Sequence, residues 1–296
     1  MIVTNVFRHD YTDVKEFYHF MASDLHFLNA KFDEKRFKKE FDRAMEYDAT
    51  IDINGDIYDL IFPTDIKRYT RGSDVEPIID APVNHAVEYG VEMLRPYVDN
   101  IRILGCGNHE VSTIKFNNVD VVKMLVYSLN QIRNPELKKI RLGGYQGFIR
   151  NKYSKVGEGR SYGGTVKVDI FYNHGQGGKS EVTKGSIDLE RRKNMDADII
   201  WLGHKHQSKI EALDPIIGLT SSDNIYVKEK TGVITGCFLK RWINDYDIEK
   251  YGYRIDFESE RFRTVSAYGG VLLRVEVKKN GVDMDFIFSR TKESIA

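Results

Sequence analysis

Side chains suited to metal binding and proton transfer occur in five short groups along this 296-residue chain. The groups are Asp24 with His26, Asp56 with Asp59, Asn108 with His109, His174 alone, and His204 with His206. They contain five of the eight histidines. Each group follows a short apolar run, and α/β proteins keep their chemistry at the carboxyl ends of strands. The pattern therefore predicts one site built from five strand ends.

Seven of these residues offer oxygen or nitrogen ligands without a thiolate. They are Asp24, His26, Asp56, Asn108, His174, His204 and His206. Carboxylates, an amide and imidazoles suit Mn, Fe, Zn or Mg better than a structural zinc site. So many donors exceed the needs of one ion, and a carboxylate can bridge two ions that lie about 3.5–4 Å apart. We therefore expect a dinuclear centre.

The apolar runs that must position these groups predict strands at 18–22, 49–54, 101–105, 165–171 and 197–202. Helices are predicted over 33–47, 83–99, 119–132 and 186–194. Residues 1–16 show little periodicity. The quartet Gly-Asn-His-Glu at 107–110 is expected to be a polar strand end, with Asn108 and His109 on opposite sides.

Short alternating runs after residue 206 predict further strands. Residues 225–234 are expected to contain a turn at Thr231 and Gly232, and 271–277 should pair with 284–288 across Asn280-Gly281. We find neither an internal repeat nor a linker-like change in composition. The chain is therefore predicted to form one domain, 1–296, in which two sheets pack between helices.

The composition excludes several classes of protein. Forty-four basic residues balance forty-four acidic ones, so a phosphate-bearing substrate must be bound locally and not by the overall charge. Two cysteines are too few for a disulfide framework. No apolar run reaches the roughly 18 residues of a membrane span, and residues 1–16 lack a signal-peptide core. We expect a cytoplasmic protein without membrane contacts.

The order of the five groups resembles the calcineurin-like metallophosphoesterase superfamily. The motifs are Asp-x-His at 24–26, Gly-Asp-x-x-Asp at 55–59, Gly-Asn-His-Glu at 107–110, an isolated His174, and Gly-His-x-His at 203–206. The resemblance spans residues 24–206. It implies an α/β fold, a four-layer α/β/β/α sandwich of two mixed sheets flanked by helices. It also implies two divalent metal ions, with Mn as first choice and Fe, Zn or Mg as alternatives.

The resemblance further implies a role for each residue. One metal ion would take Asp24, His26 and His206, the other would take Asn108, His174 and His204, and Asp56 would bridge them. His109 would stay off the metals and act on the phosphate and leaving group, oriented by Asp59. Independently of the family, an imidazole held by a carboxylate can protonate an alkoxide near neutral pH, and two cations can activate water.

These roles predict a phosphoesterase whose leading substrate class is a phosphodiester of a nucleotide or nucleic acid. His26 is intact and no Arg follows Asp59, which is unlike the Ser/Thr protein phosphatase branch. A phosphomonoesterase or protein phosphatase is the alternative, and a non-catalytic binding module is the alternative of another class. Nuclease activity is open, although the net charge does not indicate a nucleic-acid partner. The oligomeric state is not predicted.

Substrate choice is expected to lie in two irregular stretches, 61–82 and 141–164, which we predict to rim the metal site. Arg150 and Tyr153 belong to a basic, aromatic segment that could stack on nucleotides, with a solvated loop as the alternative. Lys179 follows glycines without P-loop spacing, so a flexible substrate-side loop is favoured over a phosphate cradle. His9, His19 and His85 are expected to be ordinary core or surface residues.

Overall fold

The computed structural model of the protein describes residues 2–12, 15–29, 31–60, 82–156, 165–177, 182–240, 269–278 and 281–288. Its strands are β1 (Val3–Tyr11), β2 (Glu16–Ala22), β3 (Thr50–Ile53), β4 (Ile101–Gly105), β5 (Arg141–Gly144), β6 (Gln146–Lys155), β7 (Thr165–Asn173), β8 (Ile199–Leu202), β9 (Lys209–Leu219), β10 (Ile225–Ile234), β11 (Val271–Lys278) and β12 (Gly281–Phe288). Its helices are α1 (Glu34–Glu46), α2 (Pro82–Leu94), α3 (Asn108–Asn117), α4 (Val121–Ile132) and α5 (Ser186–Glu190), with a 3-10 helix at Arg95–Tyr97.

The described strands form two mixed sheets of six strands each. The strand order is β12-β11-β2-β3-β4-β5 in the first sheet and β1-β6-β7-β8-β10-β9 in the second. Strands β2, β3 and β4 are parallel neighbours in the first sheet, and β7 and β8 are parallel neighbours in the second. Parallel neighbours present their carboxyl ends at the same edge of a sheet. These five strands are the ones that the sequence predicts to carry the polar groups.

Three buried apolar clusters separate four layers. The first contains Phe37 of α1 and joins helices α1, α2 and α4 to the first sheet. The second lies between the sheets and includes Ile103 of β4 and Trp201 of β8. The third combines Leu189 of α5 with Ile200 of β8. The predicted α/β/β/α sandwich of two mixed sheets flanked by helices is therefore confirmed, and it is the fold that the motif resemblance implies.

Helix α1 illustrates how the sequence sets an element. The Asp33 side chain accepts a hydrogen bond from the backbone of Arg36 at 3.0 Å, which caps the helix, and Glu34 lies in the first turn, where the helix dipole favours an acid. Phe37 and Phe41 are four residues apart and share the buried face. Burying each side chain contributes roughly 1.5–3 kcal/mol. Among the helices within the described ranges, none has the length and apolarity needed to cross a membrane.

Residues 3–11 differ from the prediction, because they form β1, which pairs in parallel with β6 at the edge of the second sheet. Asn5 and Phe7 are buried, whereas Thr4 and Arg8 on either side of the pair are exposed and Val6 between them is partly exposed. The strand therefore has a period of two. A buried asparagine in place of an apolar residue hides that period in the sequence.

Most of the stretch 141–156 also differs from the prediction, since it forms β5 and β6 and is not irregular. Tyr153 is fully buried, and its hydroxyl lies 2.6 Å from His19 Nε2, so its ring cannot stack on a nucleotide. Arg150 pairs with Asp169 at 2.6 Å. Residues 61–81 and 157–164 lie outside the described residues, and their role in substrate choice stays a prediction.

The long hairpin of β9 and β10 replaces the turn predicted at Thr231 and Gly232. Both residues lie inside β10, where they pair with β8 on one side and β9 on the other. The antiparallel pairing of β11 with β12 is confirmed, with Gly281 already paired in β12, whereas Asn280 of the predicted turn lies outside the described residues. Strand β8 pairs with only the last four residues of β10, so the remainder of the two strands extends beyond it as a two-stranded ribbon, named here the β9–β10 ribbon.

One face of the β9–β10 ribbon is apolar and exposed. Leu219 pairs directly with Ile225, and Ile217 pairs directly with Val227. Directly paired residues point to the same face, so the four side chains are neighbours. Each of them is at least 60% exposed. The register shifts between Lys228 and Lys230, which marks a bulge in the ribbon.

A buried polar layer lies between the two sheets. His19 hydrogen-bonds with Thr50 and Tyr153, each at 2.6 Å, and His9 stacks on Tyr153 with ring centroids 5.1 Å apart. Burial, aided by the charge of Arg102, lowers the pKa of His9 to about 4 and holds the pKa of His19 well below its usual value. Both histidines are neutral structural residues, as the sequence analysis expects.

We expect this layer to make stability depend on pH. The unfolded chain protonates these histidines near pH 6.5, whereas folded His9 does so only near pH 4, so the unfolded state binds more protons between these values. The free energy of unfolding should therefore fall as the pH is lowered through this window. His9→Asn should weaken the fall, and the matched substitution of an exposed histidine, His85→Asn, should not. Urea unfolding across the window measures this, and equal slopes for all three proteins would contradict it.

Candidate metal centre

The five strand ends meet where the two sheets come together. Asp24 lies just beyond β2, and its backbone N–H donates to the carbonyl of Gly55, beyond β3, at 3.0 Å. His204, beyond β8 in the other sheet, donates its backbone N–H to both carboxylate oxygens of Asp24, at 3.1 and 2.9 Å. The structure thus brings the predicted residues of both sheets together.

Asp24, His26 and His206 form the first donor group, with ligand atoms within 4.8 Å of one another. His206 Nε2 lies 2.9 Å from His26 Nε2 and 3.2 Å from Asp24 Oδ1. Ligands bonded to one ion at about 2.1 Å in tetrahedral or octahedral geometry are roughly 3–3.4 Å apart. All three residues are buried. The spacing and chemistry of this group therefore fit one metal ion.

Asp56, His174 and His204 form the second donor group, again within 4.8 Å. His174 Nε2 lies 3.0 Å from Asp56 Oδ2, while His174 Nδ1 lies 2.7 Å from the carbonyl oxygen of Asn54. A proton on Nδ1 donated to that carbonyl fixes the ring and directs Nε2 towards Asp56, the arrangement common among metal-binding histidines. The His174 and His204 ring centroids are 5.5 Å apart. This group fits a second ion.

Asn108 lies beside Asp56, but on a helix. Residues 108–110 form the first turn of α3, so Asn108 and His109 project about 100° apart and not on opposite sides of a strand as predicted. The backbone N–H of His109 donates to Asp56 Oδ1 at 3.0 Å. A Cβ on Gly107 would lie 2.0 Å from the same oxygen. Asn108 is therefore adjacent to the second donor group, and its role as a ligand stays a prediction.

His109 and Asp59 are in contact through Nδ1 of the imidazole and Oδ1 of the carboxylate. His109 Nε2 lies 3.8 Å from Asp56 Oδ2 and so faces the second donor group. The other oxygen of Asp59 accepts a hydrogen bond from the Asn29 amide. His26, Asp59 and His109 also have potential ligand atoms within 4.8 Å of one another. Asp59 therefore lies against the His109 ring, and its role in orienting that ring stays a prediction.

Burial and ion pairing together set the charges of the centre. Burial opposes ionisation of Asp56 and Asp24, but the charges and hydrogen bonds of neighbouring histidines outweigh it and hold the pKa of both carboxyls below the usual value. Burial would lower the pKa of His174, yet Asp56 raises it to about 10. Burial and the nearby charge of His174 lower the pKa of His204. The two carboxylates and the His204 imidazole are thus in the protonation states that a cation needs.

The backbone is strained at the donor positions. Five predicted ligands have positive φ angles: Asp24 (54°), His26 (54°), Asp56 (48°), His204 (65°) and His206 (52°). Residues with a Cβ rarely adopt this left-handed region. Each such residue costs on the order of 1–3 kcal/mol and persists only where surrounding contacts over-determine it. Such strain concentrates at functional sites.

Gly55 allows the loops of the centre to approach one another. Its φ angle of 77° lies in the left-handed region, and a Cβ there would lie 2.6 Å from Gly107 N and 2.7 Å from His174 Nδ1. Any larger residue would push the β3 loop away from two neighbouring loops. The glycine of Gly-Asp-x-x-Asp is therefore needed for close approach.

Glu110 has a structural role that its motif alone does not indicate. Its buried carboxylate accepts hydrogen bonds from the backbone of Gly107 at 2.7 Å, Asp56 at 3.1 Å and Tyr58 at 3.0 Å. It thereby ties the loop after β3 to the start of α3. A glutamate at the third position of a helix is a known capping pattern, so the sequence contained a signal for it.

Tyr145, which belongs to the stretch 141–164, borders the metal centre. Its ring centroid lies 5.6 Å from that of His174, and its carbonyl oxygen accepts a hydrogen bond from the His174 backbone at 3.0 Å. Burial raises the pKa of its hydroxyl to about 12, so the phenol is neutral. Lys179 lies outside the described residues, and its contact with phosphate stays untested.

Comparisons with solved structures give matches at very low sequence identity. No protein-family model and no curated protein matches the chain. A conserved protein of Streptococcus pneumoniae TIGR4, described as a predicted phosphoesterase, is 13% identical and aligns over 93% of this chain and 91% of its own, with a TM-score of 0.30. Vacuolar Protein Sorting 29 from Cryptosporidium parvum is 13% identical over 93% and 100%, with a TM-score of 0.35. GAP50, described as the anchor in the inner membrane complex of Plasmodium, is 9% identical over 96% and 88%, with a TM-score of 0.37.

We expect metal binding at the second donor group to release a proton. His174, with a pKa of about 10, is protonated at neutral pH, and an ion needs the deprotonated nitrogen. The affinity for Mn²⁺ should therefore rise by up to about tenfold per pH unit between about pH 6 and 8. Calorimetric titration in buffers of different ionisation enthalpy counts the released protons. His174→Gln should abolish that release, and an affinity independent of pH in the unaltered protein would refute the idea.

Proposed function

We propose that this chain is a calcineurin-like phosphoesterase that works with two divalent metal ions and hydrolyses phosphodiesters of nucleotides or nucleic acids. The observation that carries the proposal is the presence of two adjacent donor groups beside a His-Asp pair, each group taking residues from both sheets. A single structural metal would need only one such group. The buried, strained and charged arrangement is also typical of a site selected for chemistry.

In this proposal each donor group holds one ion. Asp24, His26 and His206 would hold the first, His174 and His204 with Asn108 would hold the second, and Asp56 would contribute to both. Mn²⁺ is the first choice, with Fe, Zn and Mg as alternatives, because the donors are nitrogen and oxygen without a thiolate. When bound, the ions would neutralise the phosphate and activate water for in-line attack.

His109 is assigned to the leaving group and not to a metal ion. Its Nδ1 is engaged by Asp59, and the second oxygen of Asp59 is engaged by Asn29. The trio of His26, Asp59 and His109 is therefore a poorer metal site than its short separations suggest. His109 Nε2 faces Asp56 at 3.8 Å, from where it can give a proton to a departing oxygen.

A diester substrate is favoured over a phosphoprotein by the motifs themselves. His26 is present in the first motif, and Leu60, not an arginine, follows Asp59 in the second. A monoester is the alternative substrate. A binding module that retains the two ions without turnover is the alternative of another class, and the same assay separates all three.

The proposal predicts hydrolysis that depends on a divalent metal. The purified protein with Mn²⁺ should hydrolyse bis-p-nitrophenyl phosphate faster than p-nitrophenyl phosphate, and cyclic nucleotides, single-stranded DNA and duplex DNA then define the natural class. Chelator should abolish the activity, and Asp56→Asn should remove most of it because both ions lose a ligand. Binding of two Mn²⁺ ions without turnover of any substrate would favour the binding module.

The role of His109 is tested by the leaving group. His109→Ala should keep both ions but lose roughly 10²–10⁴ in rate on a diester with an alkoxide leaving group. The loss should be smaller with p-nitrophenolate, which leaves without a proton. Asp59→Asn should give a milder defect of the same kind, because the ring is misoriented but present.

His204→Ala is the contrasting variant, since it should weaken metal binding and depress both substrates together. Equal losses on the two leaving groups in His109→Ala, or loss of an ion from it, would remove His109 from the acid role.

A further inference from the structure

Lys205 lies between two proposed ligands, His204 and His206, and its side chain is only 3% exposed. Its ammonium lies 2.5 Å from Asp188 Oδ2 and donates to the carbonyl oxygen of Gln176 at 2.7 Å. Removing an ammonium from water costs several kcal/mol unless it is paired and hydrogen-bonded. With both partners engaged inside the protein, Lys205 is not placed to contact substrate.

The Lys205 side chain joins three segments near the carboxyl ends of β7 and β8. It belongs to the loop 203–206, contacts the loop 175–177 that follows His174, and pairs with helix α5 through Asp188. A second bridge between the two loops runs from His204 Nε2 to the carbonyl of Gly177, at 2.9 Å. His204 lies in one of these loops, and His174 immediately precedes the other. Their relative position therefore depends on these two contacts.

Helix α5 gives the ion pair a rigid base. Leu189, the next residue after Asp188, is fully buried in the cluster beneath the second sheet. Asp188 also has two arginine neighbours, Arg191 at 3.4 Å and Arg192 at 3.7 Å. The burial of Leu189 and the two arginines thus hold the carboxylate in place independently of Lys205.

The loop that Lys205 anchors has an unfavourable backbone conformation. His204 and His206 on either side have φ angles of 65° and 52°, and the Lys205 N–H donates to the Gly203 carbonyl at 2.7 Å. A loop with two left-handed residues relaxes unless contacts hold it. The buried ion pair is a contact of that kind, located at the residue between them.

We propose that Lys205 is a positioning residue of the metal centre. Its ion pair with Asp188 holds His204 and His206 in their ligand positions and so sets the affinity for the metal ions. The inference rests on the proposed two-metal function. It assigns to the variable position of Gly-His-x-His a task that the motif itself does not specify.

Lys205→Met tests the proposal by keeping the apolar stem and removing the charge. Asp188 would still have Arg191 and Arg192 nearby, so no isolated carboxylate is left in the interior. Mn²⁺ affinity, measured by competition with a chelator, should fall about tenfold or more, the usual size for residues that support ligands. The rise in Tm on adding Mn²⁺ should shrink, while the Tm in chelator should stay close to that of the unaltered protein.

Two further variants separate positioning from general damage. Asp188→Asn should shift Mn²⁺ affinity in the same direction by a smaller factor, and the double variant should be no weaker than Lys205→Met, because both act through one contact. Lys193→Met is the matched control. Lys193 pairs with Asp214 at 2.9 Å on the surface nearby, and its loss should leave Mn²⁺ affinity unchanged.

The visible spectrum of the Co²⁺-loaded protein adds a readout that reports ligand geometry directly. It should change in Lys205→Met and remain unaltered in Lys193→Met. Mn²⁺ affinity and Co²⁺ spectrum equal to those of the unaltered protein would overturn the role of Lys205. If Lys205→Met does not fold, unchanged affinity in Asp188→Asn would overturn it instead. Failure of the unaltered protein to bind Mn²⁺ would count against the proposed function itself.

Discussion

Two ionised carboxylates in the interior, Asp24 and Asp56, are the constraint on which this structure depends. Both are at most 1% exposed. A buried carboxylate costs several kcal/mol unless hydrogen bonds and opposite charges surround it. Here the backbone N–H of His204 donates a hydrogen bond to Asp24, and the backbone N–H of His109 donates one to Asp56. Histidine side chains also lie next to both carboxylates. Strands of both sheets must therefore end close to these two carboxylates, so that the loops after them can supply the hydrogen-bond donors.

The support for the centre comes from secondary structure more than from flexible connections. Glu110, in the first turn of α3, fixes the loop after β3, and Asn54 fixes the ring of His174. Three apolar clusters hold the layers that carry these elements. Their packing offsets the left-handed residues at the donor positions. An ion would therefore find its ligands arranged before it binds, which lowers the entropy lost on binding.

The sequence predicts the parts of this architecture that have a strong local pattern. A short apolar run ending in Asp-x-His or Gly-His-x-His indicates a buried strand and a polar loop whatever the distant contacts are. The adjacency of His109 and Asp59 follows because their motifs end β4 and β3, which are parallel neighbours in one sheet. The assignment of particular residues to particular ions stays a prediction.

Other features depend on partners that are distant in sequence. Strand β1 is recognisable only beside β6, because Asn5 occupies a buried position. The quartet at 107–110 forms the start of a helix because the Glu110 carboxylate accepts hydrogen bonds from backbone N–H groups of the loop after β3. Thr231 and Gly232 remain extended because strands on both sides pair with them. The burial of Lys205 requires Asp188 in another element. The secondary-structure propensity of a short segment does not include these long-range contacts.

The β9–β10 ribbon has a consequence for how the protein behaves at high concentration. Strand β9 is the edge of its sheet, and an exposed apolar edge is a template on which another chain can add a strand and begin aggregation. Pro215 lies in β9 beside the bulge and lacks the N–H that such a strand would need. The bulge also increases the local twist. The edge open to a foreign strand is thereby divided into two short runs, and fibril-like growth has no long flat segment on which to start.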